Sequence, residues 1–265
     1  MITSTANPRI KEIRKLRERK ERQATGLFYI EGLRIVGEAV QQGARIETLI
    51  SAPELLISDF GQKLVQNHLE KGGQVLEVSE QVFQSFSLKE GPQGIAAILT
   101  QKWTRLADVT AQPGDCWVVL DSVADPGNLG TILRTSDSTG CRGVILLDQS
   151  TDPYDPSCIR ASMGALFSQK LVKASFDEFL QWKKSSGIGV VGTSDKAEQD
   201  YHTYEYPRNL AILMGSERQG LQPRHLELCD AVVRIPMVGI SDSLNLAVAT
   251  AVVLYEVFNQ KQEVA

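Results

Sequence analysis

Residues 117–139 read WVVLDSVADPGNLGTILRTSDST, an apolar run, a glycine-containing turn and a helix start that decide the fold of the second half. Trp117 to Leu120 is an unbroken apolar run, as expected of a parallel strand buried on both faces. Asp121 ends the run. The turn Asp125-Pro126-Gly127-Asn128 then opens a helix expected over Leu129 to Thr139, with Asn128 able to cap it. Gly130 and Arg134 stand four apart on that helix, so the guanidinium rises on a side that glycine keeps bare. A fixed cation beside exposed N–H groups suits a phosphate or a developing oxyanion. The same residues also describe a plain capped helix whose surface arginine pairs with Asp121 or Asp137.

Further strands are expected at Gly143 to Leu147, Gln169 to Val172, Ile188 to Thr193 and Leu210 to Met214. Helices are expected at Phe176 to Ser186, Pro223 to Leu228 and Leu246 to Gln260. Continuous apolar strands alternating with helices give a doubly wound α/β domain over 115–265, with its ligand site beyond the C-terminal strand ends. Upstream, residues 101–114 (QKWTRLADVTAQPG) lose periodicity and end in Pro-Gly, which reads as a linker. Residues 1–105 form a smaller α/β unit of common domain size. Its helix over residues 7–22 opens at Asn7-Pro8, followed by a strand at Phe28 to Ile30, a helix at Glu31 to Gln42 and a strand at Ile46 to Ile50. A helix at Phe60 to Lys71, a strand at Gln74 to Val78, a helical turn at Gln81 to Phe86 and a strand at Ile95 to Thr100 complete it.

The chain has 265 residues, 42% hydrophobic and 23% charged, with a formal net charge of −4. That average hides an asymmetry. Residues 1–114 carry 15 Lys/Arg against 13 Asp/Glu, and residues 115–265 carry 13 against 19. Arg9 to Arg22 alone holds 8 basic and 3 acidic residues, a stripe that could meet phosphates or simply be the solvated face of an amphipathic helix. Cys116, Cys141, Cys158 and Cys229 include no C-x-x-C pair and read as small buried hydrophobes of a reducing compartment. No leader and no membrane span is expected, and the cytoplasm is the expected location.

Metal chemistry has no support, since no His/Cys/carboxylate cluster shows ligand spacing. Gly187-Ile188-Gly189-Val190-Val191-Gly192 matches the dinucleotide fingerprint, but a helix precedes it and a strand follows, the reverse of what a nicotinamide site needs. Gly187 instead reads as a helix C-terminus and Gly192-Thr193 as the strand edge. Met214-Gly215-Ser216-Glu217-Arg218-Gln219-Gly220-Leu221 is a sharp turn that delivers one carboxylate, Glu217. It lacks the histidine partner of a nucleophile elbow. Ile235 to Asn245 leads into a final helix that is apolar on nearly every face, which requires burial in a core or a subunit interface. Ser243 and Asn245 are N-cap types at its mouth.

Together these elements resemble the SpoU/TrmH family of the SPOUT methyltransferases. The similarity is carried by Asp125 to Thr135, Arg160 to Ala165, Met214 to Leu221 and Ile235 to Asn245, and it covers nearly the whole chain. The resemblance implies a deep trefoil knot in the C-terminal domain, an N-terminal RNA-binding domain, a homodimer with sites at its interface, and no membrane association. It implies S-adenosylmethionine as cofactor, held near Thr193, Met214, Gly215, Ile235, Ser243, Leu244 and Asn245. Arg134, supported by Asn128, would serve a ribose 2′-hydroxyl, with Glu217, Ser243 and Asn245 shaping the pocket. A guanidinium scarcely loses its proton, so an anchor for phosphate or alkoxide is the easier role for Arg134. The expected activity is ribose 2′-O-methylation of RNA, with ribosomal RNA ahead of transfer RNA. An idle RNA-binding protein of the same fold is the alternative from another class.

Overall fold

The computed structural model describes residues 1–263, which form two compact units: 1–101 with 154–159, and 102–153 with 160 onward.

In the first unit, helix α1 (Pro8–Lys15) opens as its sequence requires. Pro8 sits in the first turn and the Asn7 side chain accepts from Arg9 N–H at 2.9 Å. The single helix expected over 7–22 is two, because α2 (Arg19–Thr25) starts anew after a turn. Arg22 holds the break. Only 1% exposed, it donates to the Leu16 and Arg17 carbonyls, which the ended helix leaves without partners, and it pairs with Asp155 at 3.2 Å. Arg14, Arg17 and Arg22 of the stripe hydrogen-bond within the fold.

Strand β1 (Leu27–Glu31) precedes α3 (Leu33–Gln41), and β2 (Ile46–Ser51) precedes α4 (Asp59–Glu70). Strand β3 (Val75–Glu77), helix α5 (Glu80–Phe86) and β4 (Ile95–Thr100) complete the unit. The sheet order is β1-β4-β2-β3. Helix α3 begins later than expected because Glu31 ends β1, where its buried carboxylate accepts from Tyr29 Oη, Ser87 Oγ and Leu88 N–H. Ile10, Ile13, Leu16 and the α5 aromatics Phe83 and Phe86 fill the core over this sheet.

The expected linker is partly docked instead. Leu106 and Val109 are buried in the second unit's core, Trp182 Nε1 donates to the Val109 carbonyl at 2.9 Å, and Thr104 bridges to Val172.

The second unit contains β5 (Cys116–Asp121), α6 (Pro126–Ser138), β6 (Gly143–Leu147) and β7 (Lys170–Ala174), while α7 (Pro156–Ser162) is divided, with residues 156–159 in the first unit and 160–162 in the second. Helix α8 (Phe176–Ser186), β8 (Gly189–Thr193), the two-residue β9 (Gln199–Asp200) and β10 (Leu210–Met214) follow. Helix α9 (Pro223–Leu228), β11 (Ala231–Arg234) and α10 (Leu246–Glu263) end it. The seven strands are all parallel, in the order β7-β6-β5-β10-β8-β11-β9. Strands β5, β6 and β10 are buried at every residue, in agreement with their unbroken apolar sequences. Gly187 closes α8 with a left-handed φ of 66°. From β5 the chain proceeds outward through β6 and β7, whereas β10, β8, β11 and β9 occupy the other side. The order reverses between β5 and β10, where an open α/β sheet leaves a crevice for ligand.

Candidate active site

An open groove of about 560 Å³ lies at that reversal, lined by Ser122, Ala124 and Asp125 after β5 and by residues 216–219 after β10. Ser122 holds a φ of 53°, uncommon for a residue with a Cβ, and turns the chain out of the sheet. Asp125, not Asn128, caps α6; its carboxylate accepts from Asn128 N–H at 2.7 Å. This frees the Asn128 amide for other work.

Asn128 Nδ2 donates to Glu217 Oε1 at 3.1 Å. Ala124 N–H donates to Glu217 Oε2 at 3.1 Å and Asp125 N–H to Oε1 at 3.2 Å. Burial opposes ionisation of Glu217, but these donors and its own backbone N–H prevail and hold its carboxyl below the ordinary range. The Asn245 amide reaches Asn128 Oδ1, while Asn245 Oδ1 accepts from Ala247 and Val248 N–H and so caps α10. Three of the expected residues, Asn128, Glu217 and Asn245, thus form one chain of hydrogen bonds. Glu217 is a cross-loop acceptor that joins the turn after β10 to the turn after β5.

Thr193, Met214 and Ile235 stand at or just past the C-terminal ends of β8, β10 and β11, which are neighbours in the sheet. Thr193 Oγ1 lies 3.4 Å from Met214 Sδ. Gly215 is required where it stands: a Cβ there would come within 2.1 Å of the Gly220 carbonyl carbon, because residues 216 and 220 bridge across the turn. Ser243 and Leu244 are exposed in the loop before α10, and no hydrogen bond joins them to the other expected residues among those described.

Arg134 is exposed on α6, and its guanidinium makes no hydrogen bond or ion pair among the described residues. It pairs with neither Asp121 nor Asp137; Asp121 faces His225 at 3.5 Å, and Asp137 accepts from Ser168 Oγ. Gly130 is buried, so the helix side beneath Arg134 is packed, not bare. The sequence reading missed the Ala124 and Asp125 N–H donors and the Asp125 cap. Asp-Pro at a helix start was the available signal for the cap.

Every residue expected to hold a cofactor here is uncharged: Thr193, Met214, Gly215, Ile235, Ser243, Leu244 and Asn245. Such a lining of hydroxyl, thioether, amide and backbone groups fits a nucleoside carrying a sulfonium, with no cation to repel it. No group of His, Cys, Asp and Glu among the described residues could hold a metal ion.

Comparison with known proteins gives this arrangement a context. The SpoU rRNA Methylase family matches residues 115–255, and an MRM3-like substrate binding domain matches residues 7–97. The 23S rRNA (guanosine(2553)-2′-O)-methyltransferase RlmP of Bacillus subtilis is 32% identical, over 96% of this chain and 97% of the relative. A 23S rRNA (uridine(2479)-2′-O)-methyltransferase of Streptomyces viridochromogenes is 29% identical over 93% of this chain and 87% of its own length. The crystal structure of an AdoMet-bound rRNA methyltransferase from Sinorhizobium meliloti superposes with a TM-score of 0.90 and 37% identity, covering 100% of this chain and 98% of that one. With its catalytic-half motifs matched by a family that spans more than half the chain, and a relative above 30% identity along nearly all of it, the protein belongs to the SpoU rRNA methylase family.

Proposed function

We propose that this protein transfers the methyl group of S-adenosylmethionine to a ribose 2′-oxygen of ribosomal RNA, and that the linked motif loops form the reacting site. The observation that carries the reading is the Asn245–Asn128–Glu217 chain, which ties three separated sequence motifs into one rigid cluster beside the sheet's reversal point. The cofactor supplies an activated methyl on a leaving group of its own. The protein's task is therefore to hold an acceptor oxygen in line, a proximity effect.

Thr193, Met214-Gly215, Ile235 and Ser243-Leu244-Asn245 would hold the donor. Glu217 accepts from three neighbouring donors and is held in its ionised form, so it fixes the loops and is a poor proton acceptor. Arg134, its exposed guanidinium unpaired among the described residues, would anchor the target's phosphate or the oxygen as it gains charge.

Two further parts of the reading concern assembly and place. Val248 and Tyr255 of α10 are 49% and 48% exposed, seven residues apart on one face of the helix's apolar first part. A second copy of the chain is the proposed cover for that face. No helix among the described residues is long and apolar enough to cross a membrane, and no disulfide joins the described cysteines. Work in the cytoplasm on ribosomal RNA suits both.

The test is methyl transfer from labelled donor to 23S rRNA and tRNA transcripts, with the product nucleotide mapped. A 2′-O-methyl product on rRNA is expected, and Arg134→Ala is expected to lower turnover by about a hundredfold or more. Absence of product on any RNA, or full activity in Arg134→Ala, overturns the reading.

A further inference from the structure

The groove beside Glu217 holds two carboxylates and one cation, and their states differ. Asp125 caps α6, and Glu217 is occupied by Ala124, Asp125 and Asn128, so both acids are engaged by N–H donors. Arg218 is the one cation among the described residues lining the groove. It is exposed and makes no hydrogen bond or ion pair among the described residues. The turn beneath it is rigid at three points: Gly220 N–H donates to the Ser216 carbonyl at 3.0 Å, Gln219 N–H to Ser216 Oγ at 3.3 Å, and the Glu217 carboxylate is pinned as above. A guanidinium on a fixed base, with its local acids already satisfied, is arranged to receive an anion from outside.

We infer that Arg218 binds a backbone phosphate of the RNA next to the target ribose, as a contact distinct from Arg134. This rests on the proposed methyltransferase reading. Two observations separate it from the donor's carboxylate as the alternative anion. None of the residues expected to hold the donor lines this groove, and Arg134 does not line it either. The groove is also open, as a polymer substrate needs, with backbone and small polar groups of Ser122, Ala124 and Ser216 leaving room for a sugar-phosphate chain. A phosphate contact positions the strand without reading its bases, so Arg218 would act alike on rRNA fragments of different sequence.

The experiment compares wild-type protein, Arg218→Ala and Arg218→Lys as full chains. Binding of a 23S rRNA transcript is measured by filter retention at several salt concentrations, donor binding by calorimetry, and methyl transfer at saturating donor. In Arg218→Ala the RNA Kd is expected to rise roughly tenfold at low salt. The slope of log affinity against log salt is expected to fall by about 0.7–0.9, the loss of one phosphate contact. KM for RNA should rise with kcat largely kept and donor affinity unchanged. Arg218→Lys, which retains the charge, should recover most of the salt slope. An unchanged RNA Kd and slope in Arg218→Ala overturns the inference, as does weakened donor binding or a loss confined to kcat. If wild type binds rRNA but methylates none, the activity reading fails while the binding arm still decides the role of Arg218.

Discussion

The side-chain amide of Asn245 donates to the carboxamide oxygen of Asn128 at 2.9 Å, across 117 residues of sequence. Each asparagine uses both ends of its side chain. Asn128 accepts from Asn245 and donates to Glu217, whereas Asn245 donates to Asn128 and accepts from the first turn of α10. A carboxamide carries a donor and an acceptor on one short planar group. The polarity of the chain is fixed at both ends, by a carboxylate that can only accept and by backbone N–H groups that can only donate.

Asn128→Asp is therefore worse than Asn128→Ala. Aspartate offers no donor to Glu217 and sets a second carboxylate beside it, where two negative charges repel. Both variants should lower methyl transfer, the aspartate more, and the order should reverse in a Glu217→Gln background. A double-mutant cycle between Asn128→Ala and Asn245→Ala should show a coupling of about 0.5–1.5 kcal/mol in unfolding free energy. Additive losses would mean that the two amides do not act on each other.

Gly215→Ala tests the turn that carries Glu217. The added methyl would meet the Gly220 backbone at 2.1–2.3 Å, and backbone cannot move aside as a flexible side chain does. The expected cost is about 1–3 kcal/mol of stability from overpacking. Donor binding should be lost together with it, because the turn must open. A variant with wild-type Tm and donor affinity would show that the turn is looser than its bridge implies.

The depressed pKa of Glu217 sets a sign for pH dependence. Burial works against the charge, and the Ala124, Asn128 and Asp125 donors with its own N–H outweigh it, so the folded carboxyl titrates below the unfolded one. Its contribution is then fully present above the unfolded value of about 4.3 and is lost as pH falls through the folded one. The stability gap between wild type and Glu217→Gln, read from urea midpoints, should be level from about pH 8 to 5 and shrink below about pH 4. Added salt should reduce it, since the group is reached by solvent. A gap that grows on acidification would reverse the assignment.

Local sequence carried much of this fold and little of the geometry of its site. Leu210 to Met214 and Phe176 to Ser186 have the bounds expected of them, because an unbroken apolar run and a capped 3.6-residue period are local properties. The break after α1 was not legible: it depends on Arg22 folding back onto the carbonyls of Leu16 and Arg17, and a buried arginine looks like any other cation in a charged stripe. Strand β9 has two polar residues, Gln199 and Asp200, and exists only because β11 offers it an edge. At the site, each motif was visible alone, and capping was a plain explanation for the first and the third. The hydrogen bonds that unite them are tertiary, as is the placing of Asp125 as the cap in place of Asn128. A trefoil knot, which the family resemblance implies, is a property of threading and leaves no period in the sequence.

The apolar last helix supplies the remaining prediction. Leu246, Ala247, Val253, Leu254 and Val257 of α10 are buried within the chain, while Val248 and Tyr255 face outward. Exposed apolar residues on one face of a helix whose other apolar residues are largely buried are expected to be covered by a partner. Asn245 at the head of the same helix joins Asn128 and through it Glu217, so the proposed second copy covering α10 would also brace the site. Val248→Asp with Tyr255→Asp should therefore convert a dimer to a monomer in sedimentation equilibrium with little change in far-UV circular dichroism. Methyl transfer should fall in step with the monomer fraction and recover at high protein concentration in the single Tyr255→Ala variant, where association is only weakened. A wild-type protein that sediments as a monomer at all concentrations and remains active would dismiss the partner and leave α10 an ordinary surface helix with two exposed apolar residues.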